Sequence, residues 1–560
     1  MRFKKTTQLN RQIIEIFLLF TLAAISFVAR FIHLDTHFSH IDDLLIPTTL
    51  LHNSPVGFLD IFSFAADSSH YSTYAPLQFI LTGLINKNLL DYKEMLFWTR
   101  LPSLVMAMAS LLAIFQLNLK IYKDKYFLPC LVSFTILAFS WVNIIYSMQS
   151  ESYTISVWTV LVNFWLFFHY LNKEKITFLE LPILGILLSI LACSSYQFFI
   201  FLPGFFLGIF LNYNKRILDF FRDHLISLFI LAFAIFAIYK RWLSVRLGRG
   251  IHWNVGPNQE YLLRLPAEND LFENVIYIAT FFSKNLYIVF RHITSFAAEG
   301  WLFNDIFAVI YLLLFIIGVY SWVTSTSKAK KLFVVTFLTT SVLWAGLLIE
   351  RKMALSPTRH SMILLGYVLV FTPAGMLFLY EKFKLSCFHQ RVITVSFSVI
   401  VFVIFAMSYN PVMSKRMDKF VPEKIEGIIR KFNITEIYQY GWTRNLLFMN
   451  HIRENFTTSR RRRTSAKRKK IVSWRKKAIL AVYRSKKKNA SNGAVLFITH
   501  RELVLSKKIK DSFLSHTKRS SETKFTTIYS EENRSNTEIG FGNLTKNGTN
   551  SLFYYVVKLE

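Results

Sequence analysis

The stretch that decides the fold runs from Arg11 to Leu45, "RQIIEIFLLFTLAAISFVARFIHLDTHFSHIDDLL". Its first part, Ile13–Phe31, is apolar over nearly the roughly 20 residues a helix needs to cross a bilayer. The basic segment "MRFKKTTQLNRQ" precedes it and no small-residue cleavage site follows, so it reads as a retained signal anchor. With the basic amino terminus inside, the acidic pair Asp42 and Asp43 lies outside, just beyond the first hydrophobic segment.

The whole chain shares this character. Its 560 residues are 53% hydrophobic and 16% aromatic, with a mean hydropathy of +0.36, more than a soluble surface tolerates. The expected class is a polytopic α-helical membrane protein. Cys130, Cys193 and Cys387 lie far apart in no metal-ligand or paired spacing, which argues against a disulfide framework.

About eleven spans are expected: Ile13–Phe31, Leu101–Leu119, Tyr126–Tyr146, Tyr153–Leu171, Phe178–Ala192, Phe198–Leu211, Leu225–Tyr239, Phe307–Val323, Leu332–Ile349, Met362–Leu379 and Val392–Met407. Lys and Arg favour the cytoplasmic side of short loops. The loops after the second, fourth, sixth, eighth and tenth segments carry them, as in Lys120, Lys123 and Lys125 or Lys328, Lys330 and Lys331. Two long segments then fall outside, 33–100 and 240–304. The second contains "NVIYIATFFSKNLYIVF", which Lys284 and Asn285 interrupt and which reads as an interfacial helix.

Residues 1–409 thus form a membrane domain, and 410–560, where the composition turns polar, a soluble extracytoplasmic α/β domain. In it "EIYQYG" with "TRNLLFMNHIREN", and "AVLFITH" with "RELVLSKKIKDSF", repeat a strand–helix pattern. Further strands are expected at "FTTIYS" and "LFYYVVKL". The block 459–488 between the two halves has fifteen Lys and Arg and no acid, about half of the formal net charge of +31. In a chain anchored by many spans its expected partner is an anionic lipid surface and not nucleic acid. The competing reading is a solvated insertion.

Several motifs follow the acidic pair in order. Arg30 ends the first span in "ARFIHL", "YAPLQFILTGL" carries Pro76 and Leu77, and "RLPS" spans Arg100 to Ser103. "IIYSMQSESYTI" holds Ser147 and Tyr153, "RGIHWNVGPNQEYLL" lies in the second outer loop, and "SPTRHSMILLGYV" holds Arg359 and His360. From Arg30 to Leu379 this order resembles the membrane glycosyltransferases of the GT-C fold, above all the prokaryotic protein O-mannosyltransferases and the lipid A aminoarabinose transferase. Gln149 and Glu151 depart from that family's acid and arginine, and Asp43 stands where many relatives have Glu.

The resemblance implies an enzyme in a prokaryotic cytoplasmic membrane. It implies transfer, with inversion, of a sugar from a polyprenyl-phosphate carrier to a hydroxyl on an acceptor glycan, lipid or protein outside. A hydroxyl needs a carboxylate to take its proton as it attacks, and the departing phosphate needs cationic neighbours. Asp42 is the candidate general base, with Asp43 holding the acceptor, Asp42 or a cation. The competing reading makes the pair a helix cap.

Arg359, then Arg249, Lys240 and Arg100, are the candidates for the donor phosphate, against snorkelling to lipid head groups. Trp253, Asn254, Tyr153 and His360 are candidates for sugar or acceptor. His33, His37 and His40 fall on one face if their segment is helical, and with Asp42 suit a divalent metal cation. Rival classes are a transporter or flippase of a lipid-linked sugar, a polysaccharide polymerase, and an inactive scaffold.

Overall fold

The computed structural model describes residues 2–35, 92–150, 153–173, 180–213, 217–238, 270–298, 300–349, 359–414, 422–439, 456–458, 481–485, 494–500, 524–536 and 549–559, with a few single positions between. Two compact units make up the chain. One comprises Met1–Leu34, Pro55–Ile85 and Thr99–Val412, the other Asp35–Ser54, Asn86–Trp98 and Met413–Glu560.

The larger unit is helical. Its helices are α1 (Arg2–Phe31), α2 (Tyr92–Tyr122, whose first residues belong to the smaller unit), α3 (Phe127–Phe139), α4 (Trp141–Ser147), α5 (Tyr153–Leu171), α6 (Glu180–Ser194), α7 (Phe201–Tyr213) and α8 (Ile217–Ile238). They continue as α9 (Leu271–Ile293), α10 (Leu302–Val323), α11 (Lys328–Ile349), α12 (Leu365–Lys382) and α13 (Cys387–Ser414). Among the described residues, seven helices are long and apolar enough to cross a membrane, or eight if α3 and α4 form one bent span.

The apolar segments read as the fifth to seventh spans form shorter helices, Pro182–Ser194, Phe198–Asn212 and Leu225–Ala237. An apolar stretch of 13–15 residues rises only about 20 Å, less than a hydrocarbon core of about 30 Å, although α8 as a whole continues to 22 residues. Among the described residues, length and composition alone thus give seven or eight spans, with the other three of the eleven expected segments in these apolar helices.

Close approach and aromatic packing hold the bundle. Helices α10 and α12 cross at Gly318 and Gly375, where an added Cβ would overlap the Phe371 and Leu314 carbonyl oxygens. Small residues at such a crossing let backbones meet where lipid supplies no hydrophobic drive between helices. Nearby, the ring of Phe333 lies 4.8 Å from Phe164, 5.3 Å from Trp322 and 5.5 Å from Phe371.

Helix α9 contains the sequence expected to lie in the interface. A capping box starts it: the Glu273 amide donates to Asp270 Oδ1 at 2.7 Å and the Asp270 amide to Glu273 Oε2 at 3.2 Å. It is amphipathic and is not among the seven membrane-length apolar helices.

In the smaller unit, α14 (Pro422–Lys431) leads into a six-stranded sheet of β1 (Ile434–Gln439), β2 (Phe456–Thr458), β3 (Ala481–Ser485), β4 (Ala494–His500), β5 (Phe525–Asn536) and β6 (Thr549–Leu559). The order is β2-β3-β1-β4-β6-β5, with β1 and β4 parallel and the other pairs antiparallel. Adjacent residues Leu496 and Phe497 are both fully buried, so β4 is covered on both faces. Strand β3 comes from the block expected as a basic insertion, where "AVYRS" pairs Arg484 with Glu436 of β1. The helices expected from "TRNLLFMNHIREN" and "RELVLSKKIKDSF" lie outside the described residues but for single positions.

Candidate functional site

The site begins at a bend. Helix α3 stops at Phe139, Ser140 is extended (φ −60°, ψ 116°), and α4 departs at 59°. In a continuous helix the Trp141 amide would bond the Leu137 carbonyl; it donates instead to the Ser295 carbonyl at 2.8 Å, just past α9. Ser140 Oγ donates to the Ile293 carbonyl at 2.8 Å and caps α4 by accepting from the Asn143 amide.

A buried carbonyl needs a donor, and the bend recruits two side chains. Asn143 Nδ2 donates to the Leu137 carbonyl at 2.9 Å. Arg30, in the last turn of α1 and 1% exposed, donates to Leu137 at 3.3 Å and to the Ala138 carbonyl at 3.2 Å. The same guanidinium bonds the Ser26 carbonyl at 2.8 Å and the Ser26 hydroxyl. Arg30 thus ties α1 to the broken span.

Arg100 makes a second tie. Fully buried near the start of α2, it donates from Nη1 to the Leu34 carbonyl at 2.7 Å. This anchors the chain immediately after α1, where the segment that carries the acidic pair begins. The residues that follow α1 form a turn: His33 lies within it, its ring 5.9 Å from that of Tyr409. A helical face shared by His33, His37 and His40 therefore does not extend to His33.

Between α4 and α5 the serine–tyrosine motif supplies a second break. Ser147 and Ser150 are fully buried and Gln149 is nearly so. Ser147 Oγ donates to the Ile144 carbonyl at 2.5 Å, and the rings of Tyr146 and Tyr153 lie 5.7 Å apart. Gln149 Oε1 and Thr154 Oγ1 are buried with no hydrogen-bond partner among the described residues. The short 3₁₀ helix Arg359–Leu364, two turns long, packs against α4, α5, α9 and α12. It brings the backbone of Arg359 and His360 to the same end of the bundle as the two breaks.

One cluster here has no counterpart in the sequence reading. The Arg291 Nε of α9 lies 2.6 Å from Asp305 Oδ1 in α10, and Tyr287 donates to the same carboxylate oxygen at 2.8 Å. Burial, then the Asp305 carboxylate, holds the Tyr287 phenol above its usual range. Tyr287 and Arg291 stand four residues apart on one helix face, the spacing that would have signalled them.

Of the candidates read from sequence, Arg100 and Tyr153 are described with their side chains, and Arg359 and His360 by their helical turn. Asp42, Asp43, Lys240, Arg249, Trp253, Asn254, His37 and His40 lie outside the described residues. Among the described residues no three His, Cys, Asp or Glu side chains gather as metal ligands would.

No protein-family model matches the chain, and no curated protein matches it. Among solved structures it superposes on the oligosaccharyltransferase of Archaeoglobus fulgidus in complex with Zn and sulfate, with 10% identity and a TM-score of 0.43 over 74% of this chain and 55% of that one. The archaeal oligosaccharyltransferase AglB of the same organism, in complex with an inhibitory peptide and a dolichol-phosphate, gives 10% identity and a TM-score of 0.44 over 71% of this chain and 55% of that one. The chain therefore spans about half the length of these structures.

Proposed function

We propose that the protein is a GT-C-type membrane glycosyltransferase that moves a sugar from a polyprenyl-phosphate carrier to an acceptor hydroxyl. Its site faces the outside of a prokaryotic cytoplasmic membrane, with the amino terminus inside and the carboxyl-terminal unit outside. One observation supports this function: four of the motifs, at Arg30, at Arg100, at Ser147–Tyr153 and at the Arg359–His360 helix, scattered over some 330 residues of sequence, lie at one end of the helical unit. Arg30 and Arg100 secure α1 and the chain just after it, and the turn at Arg359 packs on the helices that flank the serine–tyrosine break.

In the proposed reaction Asp42 takes the acceptor proton as the hydroxyl oxygen bonds to the anomeric carbon. The bond from that carbon to the phosphate oxygen breaks on the opposite face, so the configuration inverts. The negative charge gathering on the departing polyprenyl phosphate is met by Arg359, with Arg249 and Lys240 beside it. Asp43 holds Asp42 or the acceptor. Tyr153, His360, Trp253 and Asn254 bear on the sugar and acceptor.

An enzyme at the membrane surface is favoured over a transporter by where the ionisable groups lie. In the seven membrane-length apolar stretches, Gln12–Phe31, Leu96–Lys125, Tyr153–Leu171, Leu302–Val323, Lys328–Leu348, Ser361–Lys382 and Cys387–Met413, every Asp, Glu, Lys, Arg and His falls within six residues of an end. The bent pair α3–α4 contains none. A transport path places such groups near the middle of the bilayer.

The deciding experiment is transfer by the purified chain from a radiolabelled polyprenyl-phosphate sugar. Asp42→Asn is expected to insert and fold as the wild type does and to transfer nothing. Undiminished transfer would remove Asp42 from the chemistry.

A further inference from the structure

The far end of the same helices holds a cavity that the proposed transfer does not use. Its volume is about 680 Å³, inside the roughly 300–1,000 Å³ of small-molecule sites. The carboxyl ends of α2, α10 and α12 and the amino ends of α3, α11 and α13 enclose it. Along α2, Tyr122 in its wall is about 33 Å from Arg100 at 1.5 Å per residue. That is about one hydrocarbon thickness, which puts the cavity at the head-group level of the opposite leaflet.

Its charges balance. Lys125, Lys330, Arg391, Asp124 and Glu381 line it, and Arg391 is already paired with Glu15. Two ammonium groups and two carboxylates remain. The Lys330 ammonium sits 5.5 Å from the ring centre of Tyr122 and 5.8 Å from that of Trp322. Among the described residues it makes no ion pair. The Tyr122 hydroxyl in the same wall is buried and has no hydrogen-bond partner among the described residues.

We propose that this cavity binds the zwitterionic head group of a membrane phospholipid. The phosphodiester lies against Lys330, Lys125 and the Tyr122 hydroxyl. The lipid's own ammonium lies against Asp124 and Glu381, and its chains leave over the apolar wall at Phe127 and Phe378. An anionic head group, or phosphate alone, would leave both carboxylates facing negative charge or unmatched. A head group carrying both signs matches the four remaining charges, and helix ends at this depth meet lipid.

Native mass spectrometry of the full chain in detergent tests this with phosphatidylethanolamine, phosphatidylglycerol of the same acyl chains, and free phosphoethanolamine. The expected result is one saturable phosphatidylethanolamine site, at least tenfold tighter than for phosphatidylglycerol and not displaced by an equal concentration of phosphoethanolamine. Lys330→Met and Glu381→Gln should each raise its Kd about tenfold, the scale of one charge-assisted contact. Asp124→Asn, on an exposed turn residue, should weaken it in the same direction and decides the matter if the other variants do not fold. Equal affinity for phosphatidylglycerol would overturn the proposal. So would full displacement by phosphoethanolamine, or unchanged affinity in Asp124→Asn together with Lys330→Met.

Discussion

The guanidinium of Arg30 donates 3.3 Å to the carbonyl of Leu137, a residue more than 100 positions away whose own helical partner has turned to Ser295. One side chain thus completes the hydrogen bonding of a broken span and fixes the first span beside it. Arg supplies several donors in a fixed plane, which is why it reaches Leu137, Ala138 and Ser26 together.

Removing that side chain should act first on stability. Arg30→Met leaves the Ala138 carbonyl without its arginine donor, a loss of about 1–3 kcal/mol. Arg30→Lys should recover only part, since one ammonium does not span both carbonyls. Thermal unfolding of the detergent-purified variants checks this, with the order wild type, Lys, Met expected.

Arg100 and Arg359 should separate in kinetics. Arg100 is fully buried and holds the Leu34 carbonyl, so Arg100→Gln is expected to lower kcat and leave the donor KM within about threefold. Arg359→Gln should raise the donor KM about tenfold or more, as loss of a charge-assisted phosphate contact does. Steady-state rates at varied donor concentration decide. A rise in donor KM for Arg100→Gln equal to that for Arg359→Gln would place Arg100 at the phosphate.

The α10–α12 crossing should reject any larger side chain. Gly318→Leu and Gly375→Leu drive a side chain into backbone carbonyls and should abolish a monodisperse folded species. Gly346→Ala has open space around its Cβ and should behave as the wild type. Size-exclusion profiles of the three variants in detergent provide the comparison.

Orientation has its own test. The exposed thiol of Cys387 opens α13 on the side proposed to be cytoplasmic, and should react with an impermeant thiol reagent only after the membrane is permeabilised. In a Cys387→Ser background, Ser535→Cys on edge strand β5 should react from outside in intact cells. The reverse pattern would invert the proposed topology.

Much of this architecture was open to a reader of sequence. Uninterrupted long apolar runs mark helices without reference to any neighbour, and the short apolar runs "AVLFITH" and "LFYYVVKL" became interior strands of the sheet. The bend at Ser140 was not readable. "TILAFSWVNIIY" has neither glycine nor proline at the break and reads as one span; the helix parts where the Ser295 carbonyl, just past α9, takes the Trp141 amide. Strand β3 was hidden as well, since its five residues sit inside a block whose charge dominates any local pattern. Arg30 and Arg100 stood out as motif residues, but their partners Leu137 and Leu34 offer only backbone carbonyls, which no side-chain pattern announces.

By itself, then, the sequence determined that the chain is a helical membrane protein with a polar, strand-rich carboxyl-terminal part, because transfer of apolar surface out of water depends on composition and period alone. It also determined the order of the motifs along the chain. Tertiary structure decided which motifs share one end of the bundle, where the third apolar segment bends, and that four charges meet in a cavity at the far end. Those outcomes rest on hydrogen bonds and contacts between residues tens to hundreds of positions apart, which form only when the helices pack.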